Sequence, residues 1–358
     1  MEQLRRRKTK EIKIGKVIIG GKFPVSIQSM TKTDTRDVLS TINQIKELEK
    51  AGCEIVRVAV PDEISAKNLR IIKKEISIPL VGDIHFNYKL ALMAIDSGVD
   101  KIRINPGNIG EEYKIKEILK AAKLARIPIR IGVNSGSLEK FMYRRRGEES
   151  LEVAKKMVSK ALSFIKLFEK NKFFDIVLSL KASDTLTTIN AYKLIAKKCD
   201  YPFHIGITEA GTLLPGTVKS SIGMGILLSE GMGDTLRVSL ASSPLDEVRV
   251  GKEILKTLKL RKEGVDLIVC PTCGRCEINI FKIADEVEKN ILHIKKSLKL
   301  AVMGCVVNGP GEAKEADLGL AGGKKLGIIF KYGQIIKKVK EKDLVKEFLK
   351  ELRKICLK

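Results

Sequence analysis

The sequence predicts an α/β protein, an N-terminal (β/α)8 barrel followed by a smaller C-terminal α/β domain. Three observations carry that expectation. From residue 25 to 240 a short Val- and Ile-rich run is followed repeatedly by a longer segment with helical spacing, and there are eight such runs. Eight parallel strands with right-handed crossovers over about 250 residues suit a closed barrel better than an open, doubly wound sheet. Near residue 261 the composition changes and a cysteine-rich stretch begins.

In chain order the expected strands are VSIQSM (25–30), EIVRVAV (54–60), PLVGDI (79–84), KIRIN (101–105), IRIGVN (129–134), DIVLSLK (175–181), FHIGI (203–207) and TLRVSL (235–240). Between them, 40–52, 88–98, 111–125 and 151–170 have apolar residues at helical intervals, and several end in the glycine that commonly caps a helix. The segment 246–260 reads as the last barrel helix, so the expected domains are 1–260 and 261–358. The second holds strand-like 267–269, 298–304 and 326–330, with helices near 279–290 and 342–355. No G-x-G-x-x-G opens a helix after the first strand, which removes local support for dinucleotide binding.

Composition narrows the function classes. With 44% hydrophobic and 31% charged residues the chain is neither disordered nor fibrous. It has no apolar run of about 20 residues and no secretory leader pattern, so a cytoplasmic protein is expected. A formal charge of +24 invites a nucleic-acid reading. The lysines, however, come in scattered pairs such as Lys73-Lys74 and Lys155-Lys156 on helical faces, and there is no tryptophan to stack on bases. The expectation is therefore no nucleic acid and no membrane, with a basic surface suited to steering an acidic protein partner.

Strands buried on both faces should be continuously apolar. Here Arg57, Arg103, Arg130, Lys181 and Arg237 lie in or at the ends of the expected strands, beside Asp83, His85, Asn105, Asn134, His204, Glu209 and Ser239. Counting Asp83 and Glu209 against the five cations leaves three positive charges unneutralised, so internal pairing does not account for the set. Barrel active sites lie at the C-terminal ends of the strands, and arginine forks fit phosphate oxygens. A phosphate- or diphosphate-bearing substrate follows, with Glu209 as the carboxylate placed for proton transfer at the mouth.

Cys270, Cys273 and Cys276 form a C-x2-C-x2-C run, and Cys305 follows in GCVVNGPGE. This is metal-ligand spacing, open to structural zinc or to an iron–sulfur cluster. Ile280 stands where a ferredoxin-type run would carry its next cysteine, which argues against a simple electron carrier. Glu312 is a candidate oxygen ligand, and Cys276 is the alternative that would close a cluster with four thiolates. Cys53, Cys199 and Cys356 read as isolated core or surface thiols. A barrel transferase of pterin or phosphosugar type with a structural zinc domain is the rival enzyme class.

The segments PVSIQSMTKTDTRD (24–37), VRVAVPD (56–62), LVGDIHF (80–86), KIRINPGNIG (101–110), IGVNSGSLE (131–139), HIGITEAG (204–211), GDTLRVSL (233–240), CPTCGR (270–275) and GCVVNGPGEA (304–313) resemble the 4-hydroxy-3-methylbut-2-en-1-yl diphosphate synthases, in their short bacterial form. The resemblance implies a TIM barrel joined to a ferredoxin/sulfite-reductase-like domain with a [4Fe-4S] cluster, in a homodimer whose barrel mouths are capped by the partner's cluster domain. It implies reductive ring opening of 2-C-methyl-D-erythritol 2,4-cyclodiphosphate, with electrons from reduced flavodoxin or ferredoxin. Carried onto this chain, it makes Cys270, Cys273, Cys305 and Glu312 the cluster ligands. Arg57, Arg103, Arg130, Lys181, Arg237 and Ser239 then hold the diphosphate, and Asn105 and Asn134 line the ring pocket with Asp83 and His85. Glu209 becomes the proton donor, and with His85 and Asp83 completes the catalytic set. Cys276 departs from the family pattern.

Overall fold

The computed structural model describes residues 4–137, 149–305, 311, 313–323 and 325–357. It divides into two compact units that meet between Arg261 and Lys262. The first opens with a hairpin, β1 (Ile12–Ile14) and β2 (Val17–Ile19), that turns at Gly15, whose φ of 54° lies in the left-handed region.

Eight strands follow: β3 (Ser26–Met30), β4 (Ile55–Ala59), β5 (Leu80–Asp83), β6 (Lys101–Ile104), β7 (Ile129–Asn134), β8 (Ile176–Lys181), β9 (His204–Ile205) and β10 (Thr235–Leu236). All pair in parallel in the order β8-β7-β6-β5-β4-β3-β10-β9, and a parallel bridge from Leu178 to Phe203 joins the two ends into a barrel. Each expected strand is present in its expected place. Helices cover the outside, and most of the loops that lead into them end on a short polar cap. Asp37, Asp62, Asn87 and Asp184 accept from the backbone N–H of Ser40, Ser65, Lys89 and Thr187.

Alternation along the strands decides what each face does. Val56, Val58, Leu80, Ile102, Ile104, Ile131 and Val133 pack under the helices in the main core. Their neighbours face the barrel axis. Ile55, Val81 and Val177, near the starts of their strands, pack on Ile12, Ile14 and Ile19, so the hairpin stops the N-terminal end of the barrel with a small apolar cluster. The hairpin is absent from the sequence expectation because its strands have three residues each.

The second unit is a five-stranded sheet in the order β11 (Val265–Val269), β12 (Leu298–Met303), β13 (Leu318–Ala321), β14 (Leu326–Lys331), β15 (Gln334–Lys340). The first three strands are parallel and the last two antiparallel. Helices Ile280–Ile291 and Leu344–Cys356 bury Val287, Ile291, Phe348 and Leu352 with the sheet residues Leu300, Val302 and Leu320. Strands β13 and β15 go beyond the sequence expectation. No helix among the described residues is long and apolar enough to cross a membrane.

Candidate active site

The inward side chains of β4 to β8 place charge where hydrocarbon would be expected. Asp83 is the hub. Its Oδ1 accepts from Arg103 Nη1 at 3.2 Å, and its Oδ2 lies 3.7 Å from Arg57 Nε and 3.4 Å from His85 Nε2. Burial pushes the Asp83 carboxyl up, but the charge of Arg57, the bond from His85 and the charge of Arg103 outweigh it and hold the group well below the usual carboxylate range. Arg57 also touches Met30 Sδ through Nε and Nη2, and burial lowers its guanidinium to about 10 against the pull of Asp83.

Two glycines make room for these cations. A Cβ on Gly132 would lie 2.7 Å from Arg103 Nε, and one on Gly206 would lie 2.7 Å from Lys181 Nζ and 2.3 Å from the Arg237 carbonyl. Arg130 and Lys181 are buried, and the Nε and Nη1 of Arg130 have no protein partner. Burial and then the neighbouring guanidiniums work against the charge of both.

Arg237 is held by a residue that sequence reasoning missed. Glu247, buried on the helix Pro244–Thr257, accepts from Arg237 Nε at 3.3 Å and Nη2 at 3.4 Å, from Leu240 N at 3.1 Å and from Ser29 Oγ at 3.3 Å. A signal existed: Glu247 lies on the same buried stripe as Gly251, Ile254 and Leu255. Lys101 was missed as well, although it stands two residues before Arg103 on the inward face and is fully buried. The inner face thus carries six basic side chains, Arg57, Lys101, Arg103, Arg130, Lys181 and Arg237, against Asp83 and Glu247 among the described residues.

The other expected site residues lie at the strand ends. Asn134 ends β7 opposite Lys181, and Asn105 follows β6, where its side chain caps the turn Pro106–Ile109 by accepting from Gly107 N at 3.2 Å. Ser239 is half-buried beyond β10, and His85 is exposed beyond β5. Glu209 stands exposed in the loop after β9 with a left-handed φ of 51°. Its place in the charge count is taken by Glu247. The arrangement suits a ligand with several acceptor oxygens, because the open groups are donors.

In the second unit, Cys270 follows β11 and Cys305 follows the neighbouring β12, so both leave the same end of the sheet. Backbone bonds join the two segments: Cys270 N donates to Val302 O at 2.9 Å and Glu277 N to Gly304 O at 3.3 Å. The Cys276 thiol donates to Ile278 O at 3.3 Å, and its side chain packs on the unit's apolar core. Glu312, with Asn308, Gly309 and Pro310, lies outside the described residues. Among the described residues no three His, Cys, Asp or Glu side chains converge on one metal ion. A four-iron cluster attaches each ligand to a different iron and needs no such common point. Soft thiolates on neighbouring loops fit that chemistry.

Fold and site define a (β/α)8-barrel protein with a cation-lined interior and a separate cysteine-bearing α/β unit. Residues 9–252 match the family model described as the GcpE TIM-barrel domain, and residues 266–354 match the GcpE protein C-terminal domain. The chain belongs to the GcpE family. It is 59% identical over 350 residues to the 4-hydroxy-3-methylbut-2-en-1-yl diphosphate synthase (flavodoxin) of Caldanaerobacter subterraneus subsp. tengcongensis, covering 98% of each chain. The Geobacter sulfurreducens protein of the same name is 53% identical over 97% of this chain and 98% of its own. A dihydropteroate synthase from Coxiella burnetii, solved with pteroic acid, aligns with a TM-score of 0.51 at 12% identity, covering 70% of this chain and 99% of its own. That likeness shows the barrel fold alone.

Proposed function

We propose that this chain catalyses reductive ring opening of 2-C-methyl-D-erythritol 2,4-cyclodiphosphate to 4-hydroxy-3-methylbut-2-en-1-yl diphosphate in isoprenoid precursor synthesis. Two electrons and a proton enter, the carbon–oxygen bond to one phosphate breaks, and water leaves. The observation that carries the substrate class is the excess of buried cations over carboxylates on the inner barrel face. The relatives' printed names supply the particular diphosphate.

Arg57, Arg103, Arg130, Lys181, Arg237 and Ser239 bind the diphosphate, and Asn105 and Asn134 orient the ring. Asp83 keeps Arg57 and Arg103 aimed at the phosphates and fixes His85 beside the ring. Glu209 delivers the proton to the departing oxygen. Residues 1–260 thus form the substrate domain and 261–358 the cluster domain. A [4Fe-4S] cluster on Cys270, Cys273, Cys305 and Glu312 supplies single electrons and a Lewis-acidic iron when bound. Reduced flavodoxin, as in the relatives' names, or ferredoxin is the donor, and the working form is a cytoplasmic homodimer.

The test is anaerobic reconstitution, iron and sulfide analysis, and turnover of the cyclodiphosphate with a chemical reductant. About four irons with formation of the dehydrated product supports the reading, and Glu312→Gln should then keep the iron while turnover collapses. Zinc without iron, and no turnover, would favour a barrel transferase instead.

A further inference from the structure

On the inner barrel face, among the described residues, four buried side chains carry polar atoms with no protein partner: Lys101 Nζ, Arg130 Nε and Nη1, His204 Nε2, and both amide atoms of Gln28. Lys101 opens β6, one inward position nearer the stopped end of the barrel than Arg103. Its strand neighbour on β5 is Val81, which offers no charge. The charges that bear on it are Arg130 from β7 and Arg57 from β4, and it bears in turn on His204 from β9. The carboxylate on β5, Asp83, is committed to Arg57, Arg103 and His85.

A fully buried ammonium that faces only cations has one cheap escape. Arginine does not surrender its proton in a protein, whereas a lysine amine does. Burial first, then Arg130 and Arg57, drive the Lys101 amine well below its ordinary range. Burial and the two guanidiniums thus favour the amine form of Lys101, while the guanidinium of Arg130 keeps its charge and its open donors.

We infer that Lys101 is a positioning residue for the diphosphate, a fully buried side chain without a partner that takes a proton from solvent when the anionic ligand binds at Arg130, linking substrate binding to proton uptake. The inference rests on the diphosphate reading above. Phosphate oxygens on Arg130 Nε and Nη1 bring negative charge to the side of the cluster that had none, and a neighbouring opposite charge favours the protonated amine. The new ammonium then adds to the field that holds the ligand. His204 and Lys181 are the competing bases. The Nδ1 of His204 is engaged with Thr235 Oγ1 at 2.8 Å, its ring faces Lys181, Arg130, Lys101 and Arg57, and its ordinary value of 6.5 lies far under the 10.5 of a lysine. Lys181 stands against four guanidiniums, Arg130, Arg57, Arg237 and Arg103, where Lys101 stands against two, so Lys101 takes the first proton.

The experiment is titration calorimetry of the full-length, cluster-loaded protein with the cyclodiphosphate, without reductant so that no turnover occurs. It is run at one pH in two buffers of different ionisation enthalpy, HEPES and Tris. The expected result is a buffer-dependent heat corresponding to uptake of a fraction approaching one proton, with affinity falling as pH rises. In Lys101→Met, or in Lys101→Gln should the first fold poorly, the buffer dependence and the pH slope disappear. Equal heats in both buffers with wild-type protein would overturn the inference while leaving the substrate reading intact. So would uptake that persists undiminished in Lys101→Met, whether His204 or Lys181 then takes the proton. No heat in either buffer would overturn the diphosphate reading, and the inference with it.

Discussion

Gly132→Ala adds a single methyl group to the inner face of the barrel, and its effect follows from one distance. The Cβ would stand 2.7 Å from Arg103 Nε and 3.0 Å from Nη2, where ordinary contact begins at 3.4 Å. The guanidinium must shift by about 0.7 Å, which disturbs the geometry of its 3.2 Å bond to Asp83 on the other side. Loss of a hydrogen bond between charged groups is worth about 1.5–3 kcal/mol, and if it is felt by the ligand the affinity falls by about ten- to a hundredfold. The backbone at Gly132 is ordinary β-strand, so alanine adds no strain there and removes unfolded-state freedom worth about 0.4–1 kcal/mol. The expected result is weaker binding and lower kcat/KM, with stability lower by about 0.5–2.5 kcal/mol once the lost bond is set against the gain from alanine, read by calorimetry and urea unfolding. Unaltered substrate affinity would refute the claim that Arg103 is held in place for the ligand.

Three further outcomes are expected. Asp83→Asn leaves Arg57 and Arg103 without their shared counter-charge and should cost about 3–5 kcal/mol in urea unfolding. Because the folded carboxyl lies below its unfolded value, the stability it confers is present above about pH 4 and fades as pH falls through lower values, so the variant's acid limb should be flatter. Ile14→Ala, in the hairpin that closes the barrel end, should destabilise by about 2–5 kcal/mol, and an unchanged denaturation midpoint would show that the hairpin is not part of the cooperative core. Cys276→Ser should leave iron and sulfide content unchanged, because the thiol is occupied with Ile278 O and lies against Gly304; loss of the cluster would make Cys276 a ligand.

Much of the architecture is written in local patterns. The eight Val- and Ile-rich runs become β3 to β10 because alternate residues must meet helices outside, and Asp or Asn before the helices supplies the missing hydrogen-bond acceptor. The arginines of β4, β6 and β7 stand out for the same reason, as charges in segments that otherwise ask for hydrocarbon. Short or polar elements escape that logic. The hairpin strands have three residues each, β13 has four, and β15 is so rich in lysine that it carries no apolar run.

What the sequence by itself determined is the set of elements, their order and the positive character of the barrel interior, because periodicity and charge are properties of neighbouring residues. Only the tertiary structure decided that Leu178 meets Phe203 to close the ring, that Glu247 reaches from a helix to Arg237, and that Asp83 serves two arginines and His85 at once. It also separated Lys101, buried without a partner, from the many lysines of the solvated faces. Such pairings depend on register between strands far apart in the chain, and on a burial that no residue possesses until the barrel has closed around it.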